Sequence, residues 1–275
     1  MKIRSTEKSN YFSDLIHKQI PVYELQGLTL DDKGNFTAGI EAVEFEPNEP
    51  IQLEPLFSEN QWKAKWLLCR QLSVPFYILV HQKSKDEVMI FNFSFQSGPT
   101  FSLMQTVTKP DFIRWWASIK KTVQGKPLNE AKKRIADSYF DIALSEGGLM
   151  WGGNIDGFLI DFDSNTFQAI IEFRITKYPL ESYDPKDWFL YRGGDYPTWR
   201  PLCLLSQLLE VPLFLITLSN QQSAIASAGF SVIDSISRTD LNYRYKRPYE
   251  TILVGIPEVK KQLLSSLREL PPKII

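Results

Sequence analysis

The sequence predicts an α/β fold, and three observations carry that prediction. Segments of helical period alternate with segments of period two and with short apolar runs. Hydrophobic residues form 43% of the 275-residue chain and charged residues 23%, globular values that suit one large domain or two small ones. One helix–strand segment also occurs twice, because residues 62–79 line up with residues 199–216 at a constant spacing of 137.

The elements follow in order. Ser9 caps a helix to Ile20, with Phe12, Leu15 and Ile16 on one face and Pro21 at its end. Residues 22–30 and 36–45 alternate as strands about the turn at residues 31–35. Residues 47–55 form an acidic loop. The spacing Ser58-Glu59-Asn60-Gln61 is that of a capping box, so a helix starts there and runs to about Ser73. Residues 74–80 and 88–95 read as strands. Lys109-Pro110-Asp111 opens a helix whose apolar side is Phe112, Trp115, Trp116, Ile119 and Val123. Residues 128–146 form a further helix, closed by Gly147-Gly148. A meander of strands then covers residues 149–152, 157–163 and 167–175. Residues 177–197 are a long loop rich in Tyr, Pro, Gly and Asp. Thr198 caps a helix to Glu210, and residues 211–218 form a buried strand. Residues 230–236 and 251–255 read as strands, and Pro257 opens a last amphipathic helix.

The duplicated segment suggests two related units. Trp62/Trp199, Leu67/Leu204, Leu68/Leu205, Leu72/Leu209, Val74/Val211 and Pro75/Pro212 are identical pairs. Upstream, Gly27 to Asp31 resembles Gly157 to Asp161, which sets Gln26 against Asp156. The expected division is an N-terminal unit over residues 1–108, a degenerate copy, and a second domain over residues 109–275. The competing account is that all helix–strand units bury Leu, Val and Ile and so look alike.

Composition excludes several function classes. Lys plus Arg is 31 and Asp plus Glu is 32, so no cationic sleeve covers the whole surface, although a local basic cleft stays open. Two Cys and two His leave no Cys-rich or His-rich zinc site. A metal would therefore be held by carboxylates, which favours Mg²⁺ or Mn²⁺. The charged first residues are not a signal peptide, and no apolar run reaches membrane-spanning length. A soluble, cytoplasmic protein without a membrane partner is the expectation. Walker, Gly-x-Gly-x-x-Gly and Gly-x-Ser-x-Gly motifs are lacking.

The stretch that can carry chemistry runs from Gly152 to Arg174. With a hairpin loop at Ser164, Asn165 and Thr166, Asp156 faces Arg174 and Phe158 faces Glu172. Period-two alternation then puts Asp156, Glu172 and Arg174 on one sheet face. A one-residue slip would separate them. Two carboxylates and a cation on one face suit phosphodiester hydrolysis, with the carboxylates holding a divalent metal and the cation offsetting charge in the transition state. Plainer readings stand beside this one. Asp156 before Gly157 suits a turn, and Glu172 with Arg174 suits a structural ion pair. Asp161 and Asp163 read as turn or solvent-facing residues. Tyr191 to Tyr196 reads either as a nucleic-acid-contacting loop or as surface. Lys120-Lys121 and Lys132-Lys133-Arg134 read as solvated helix faces, His17 and His81 as surface or core histidines, and Cys69 and Cys203 as buried thiols.

The order helix, strand, strand with Asp156, strand with Glu172-x-Arg174, helix, buried strand resembles the PD-(D/E)XK nuclease superfamily, which includes the restriction endonucleases. The likeness covers residues 128–218. It implies a restriction endonuclease-like core, a mixed central sheet flanked by helices. It further implies Asp156 and Glu172 as ligands of Mg²⁺ or Mn²⁺ and a catalytic set completed by Arg174, Glu146 and Gln207. DNA or RNA would be the partner, and a homodimer would supply the two centres that duplex cleavage needs. The chain departs from the pattern at Arg174, where the family has Lys. Arg keeps the charge and clamps phosphate, but it cannot deprotonate to activate water.

Overall fold

The computed structural model describes residues 2–3, 21–126, 138–176, 178–180, 184–190, 196–221 and 224–247. The helices expected over residues 9–20 and from Pro257, the strand at 251–255 and most of the 128–146 helix lie outside them. The fold is mixed α/β. It divides into two compact units, Met1–Ser5 with Leu25–Asn154 (unit 1) and Thr6–Glu24 with Ile155–Ile275 (unit 2).

Unit 1 contains β1 (Lys2–Ile3), β2 (Tyr23–Leu30), β3 (Phe36–Phe45), α1 (Glu59–Gln71), β4 (Phe76–Gln82), β5 (Glu87–Phe95), β6 (Pro99–Thr108), α2 (Lys109–Ile119) and α3 (Tyr139–Glu146). The strands run in the order β2-β3-β4-β5-β6, with β1 added beside β3. Only β3 and β4 are parallel. The capping box forms as the sequence dictates: the Ser58 hydroxyl accepts from the Gln61 amide and the Gln61 side chain accepts from the Ser58 amide. Alternate residues of β3 face opposite layers. Ala38, Ile40 and Ala42 pack with α2 and α3 around Phe112, Trp116 and Phe140. Gly39 faces α1, where an added Cβ would collide with Cys69 Sγ. On that side Trp62 stacks on Phe93 at 4.8 Å. Because α2 and α3 close the core of unit 1, the expected division at residue 108 does not follow the packing.

Unit 2 contains β7 (Gly153–Asp161), β8 (Thr166–Thr176), α4 (Pro185–Leu190), α5 (Tyr196–Leu209), β9 (Leu213–Gln221), β10 (Ala224–Ile236) and β11 (Leu241–Arg247). Its strand order is β7-β8-β9-β10-β11, and only β8 and β9 are parallel. Along α5, Trp199, Leu202, Leu205 and Leu209 are buried.

The two units repeat each other in detail. Each runs hairpin, helix, parallel strand, then two antiparallel strands. Gly27 faces Ile40 as Gly157 faces Ile171, and Gly39 faces Phe76 as Ile170 faces Leu213. The Gly39 amide donates to Pro75 O at 2.9 Å, and the Ile170 amide to Pro212 O at 3.0 Å. Ser73 and Glu210, each just past its helix, share the left-handed backbone at φ 55 and 54. A left-handed conformation is costly for a residue with a Cβ, so finding it at equivalent positions is hard to attribute to generic helix–strand packing. The repeat suggested by the aligned Trp and Val-Pro residues is present in three dimensions.

Several elements differ from the sequence reading. Ser138 is an extended N-cap, so a helix starts at Tyr139 instead of continuing through that position. Leu149 to Gly152 is not a strand, and Gly152 takes φ +122. The 177–197 segment contains the short helix α4. Strands β6 and β11 were not expected.

Candidate functional site

β7 and β8 bring Asp156 and Glu172 together. The ladder pairs Gly157 with Ile171, so one step outward Asp156 stands opposite Glu172. The sequence set Asp156 against Arg174, two residues away in register. The turn closes with Asp161 opposite Thr166, and a bulge leaves Gln168 unopposed; together these move the register by two. A two-residue shift preserves faces, so Asp156, Glu172 and Arg174 still share one.

Asp156 and Glu172 are each 4% exposed. Asp156 Oδ2 accepts a hydrogen bond from the Phe173 amide at 3.1 Å. Asp156 is therefore a strand residue and not the turn residue that its neighbour Gly157 suggested. Arg174 Nε lies 3.9 Å from Glu172 Oε1. Its guanidinium sits over the Trp199 ring of α5, 5.0 Å from the centroid. Thr217 of β9 is in register with Arg174 and is fully buried. Neither the Thr217 hydroxyl nor the Trp199 indole N–H has a hydrogen-bond partner among the described residues.

The rest of the expected set lies elsewhere. Gln207 is exposed on α5, whose inward face is carried by Trp199, Leu202 and Leu205. Glu146 is an exposed residue of unit 1 paired with Lys109 at 3.4 Å. Asp161 accepts from the Asp163 amide and the Ser164 hydroxyl within the turn, bonds that hold its carboxyl below the usual range, the Ser164 hydroxyl foremost. Residues 191–195 and 132–134 lie outside the described residues. No group of three or more His, Cys, Asp or Glu gathers among the described residues. A divalent cation between Asp156 and Glu172 would thus take its other ligands from water or substrate oxygen, a donor set that suits Mg²⁺.

Unit 1 shows what sequence reading missed. By the repeat, Gln26 corresponds to Asp156 and Glu41 to Glu172. Gln26 Oε1 accepts from the Ala42 amide at 2.7 Å, the bond that Asp156 makes to Phe173. Glu41 Oε1 accepts from the Gln26 amide and from Lys65 Nζ, the latter at 2.6 Å. Lys65 and Glu41 are 0% and 2% exposed. The signal was available: Lys65 stands three residues from both Trp62 and Leu68, on the inward face of α1.

Other residues resolve simply. His81 is buried and stacks on Tyr139 at 3.6 Å. Cys69 is buried and Cys203 half-buried. No helix among the described residues is long and apolar enough to cross a membrane. No family model, curated protein or solved structure matches the chain.

Proposed function

We propose that the chain is a metal-dependent nuclease whose centre lies in unit 2, on a restriction endonuclease-like core of the PD-(D/E)XK type. The observation that carries this reading is the direct opposition of two buried carboxylates, Asp156 and Glu172, with the Arg174 guanidinium on the same face. The internal copy sharpens it. Gln26 makes the same backbone bond with a neutral amide, so the fold does not require a charge at position 156.

In this reading Asp156 and Glu172 hold Mg²⁺ or Mn²⁺. The ion would lower the pKa of a bound water and neutralise phosphate charge. Asp156 is oriented by the Phe173 amide, and Glu172 by its place opposite. Arg174, braced on Trp199, supplies fixed positive charge to the phosphate in the transition state. Because Arg does not give up its proton, it positions and stabilises and does not act as a base. DNA is the substrate the reading favours, with RNA the other outcome of the assay.

One observation favours a second reading, a non-catalytic scaffold on the same fold. Arg174 is held between Glu172 and the Trp199 ring, as a structural pair would be. Calorimetric titration of Mn²⁺ into the wild type, Asp156→Asn and Glu172→Gln separates the two. Binding that both substitutions abolish, with cleavage of plasmid or single-stranded DNA, supports the nuclease. A wild type that binds no Mn²⁺ and cleaves nothing leaves the scaffold.

A further inference from the structure

The buried Glu41–Lys65 pair sits where unit 2 has Glu172, and the two units match residue by residue around it. Glu41 corresponds to Glu172 and Gln26 to Asp156. Lys65 corresponds to Leu202, which is buried on the equivalent helix. Val80 corresponds to Thr217. Trp62 corresponds to Trp199, but its indole N–H donates to Glu54 O at 3.0 Å. Unit 1 thus has one carboxylate where unit 2 has two, and an ammonium 2.6 Å from it. That ammonium also lies 4.2 Å from the centroid of the Phe57 ring, a second favourable contact for a cation.

We infer that unit 1 is a closed copy of the unit 2 centre in which the Lys65 ammonium occupies the place of the divalent cation. The inference rests on the proposed metal-binding role of Asp156 and Glu172. It adds that the chain binds one divalent ion and not two. It also adds that cation choice is set by two pairs of positions, 26 with 65 in unit 1 and 156 with 202 in unit 2. An ammonium and a metal ion cannot share the space beside one carboxylate. Leu202, at the position of Lys65, is apolar and brings no ammonium to Glu172 in unit 2.

The test exchanges these residues in the full chain, with Mn²⁺ as the probe, calorimetry as the readout and circular dichroism as the check on folding. The wild type is expected to bind one Mn²⁺ per chain, and Glu41→Gln to leave that number unchanged. Leu202→Lys is expected to fold and to lose Mn²⁺ affinity by at least a factor of ten. Should Leu202→Lys not fold, the reverse exchange decides. Gln26→Asp with Lys65→Leu is expected to bind a second Mn²⁺ and to gain thermal stability as Mn²⁺ is added. A folded Leu202→Lys that keeps wild-type affinity overturns the inference and leaves the nuclease reading standing. So does a folded Gln26→Asp/Lys65→Leu chain with no second ion. A wild type that binds no Mn²⁺ overturns both.

Discussion

Removing the Lys65 ammonium is the most direct test of how unit 1 is held together. In Lys65→Met the methionine fills most of the volume but leaves the Glu41 carboxylate, 2% exposed, without its partner at 2.6 Å. Breaking a buried ion pair by deleting one member costs about 3–5 kcal/mol. The Gln26 amide still donates to Glu41 Oε1, which favours the lower half of that range. For a chain of this size each kcal/mol moves Tm by roughly 2–4 °C, so a fall of roughly 10 °C is expected. Glu41→Gln/Lys65→Met removes both charges while Gln keeps an acceptor for the Gln26 amide. Replacing both members of such a pair is often close to neutral, so the double variant is expected within about 1–2 kcal/mol of wild type. Urea unfolding followed by tryptophan fluorescence reads the effect, since Trp62 lies one turn from Lys65 on α1. A single-variant loss below about 1 kcal/mol, or a double variant no better than the single, would refute the view that the ammonium compensates a buried carboxylate.

Three further outcomes follow from the same geometry. Asp156→Asn keeps an acceptor for the Phe173 amide and is expected to unfold within about 1 kcal/mol of wild type, whereas Asp156→Ala removes that buried hydrogen bond and costs about 1–3 kcal/mol; equal urea midpoints for the two variants would refute the shared backbone role. Burial pushes the Cys203 thiol up to about 12 and raises Cys69 further, so native-state alkylation by iodoacetamide near pH ~8 should be far slower than that of a free cysteine, and rapid labelling at either position would contradict the packing. Burial also lowers His81 below the ordinary histidine value, against the opposing pull of the Glu87 carbonyl. The unfolded chain then binds more protons below pH ~6.5, so His81 costs stability as pH falls through that region and nothing above it. His81→Phe, which can keep the stack on Tyr139, should lose less stability than wild type between pH ~7.5 and pH ~5.5; an identical loss in both proteins, measured by urea midpoints, would show that His81 is not the linked group.

What the sequence disclosed was local chemistry and self-similarity. The capping box at Ser58, the turn from Asp31 and the Pro-opened helix at Lys109 rest on bonds within four residues, and each formed. What it hid was set by distant partners. β6 escaped because residues 102–106 are exposed on both faces and carry no inward alternation to detect. The Asp156 register shifted because the turn closes at Asp161 and Thr166 and a bulge leaves Gln168 unopposed, neither of which has a sequence signature. Gln207 faces solvent because the heptad of apolar residues on α5 turns Leu202, Leu205 and Leu209 inward instead. The division between units failed at residue 108 because α2 closes the core of unit 1 through Phe112 and Trp116, an assignment that depends on packing and not on chain order.

The two units act as controls for each other. Both meet one backbone demand, an acceptor for the amide at Ala42 or Phe173, with a side chain opposite a buried Glu. Unit 1 meets it with an amide, the cheaper group to bury, and sets an ammonium against its Glu. Unit 2 meets it with a carboxylate, whose burial costs several kcal/mol more than that of an amide unless a cation accompanies it. In the proposed reading the carboxylate at position 156 is one of the two ligands of the divalent cation, a role the neutral Gln26 amide does not fill. Thr217 and the Trp199 indole stand where unit 1 has Val80 and a Trp62 whose N–H donates to Glu54 O. The copies differ in the charged residues around one buried Glu, and it is there that the exchange of Leu202 and Lys65 acts.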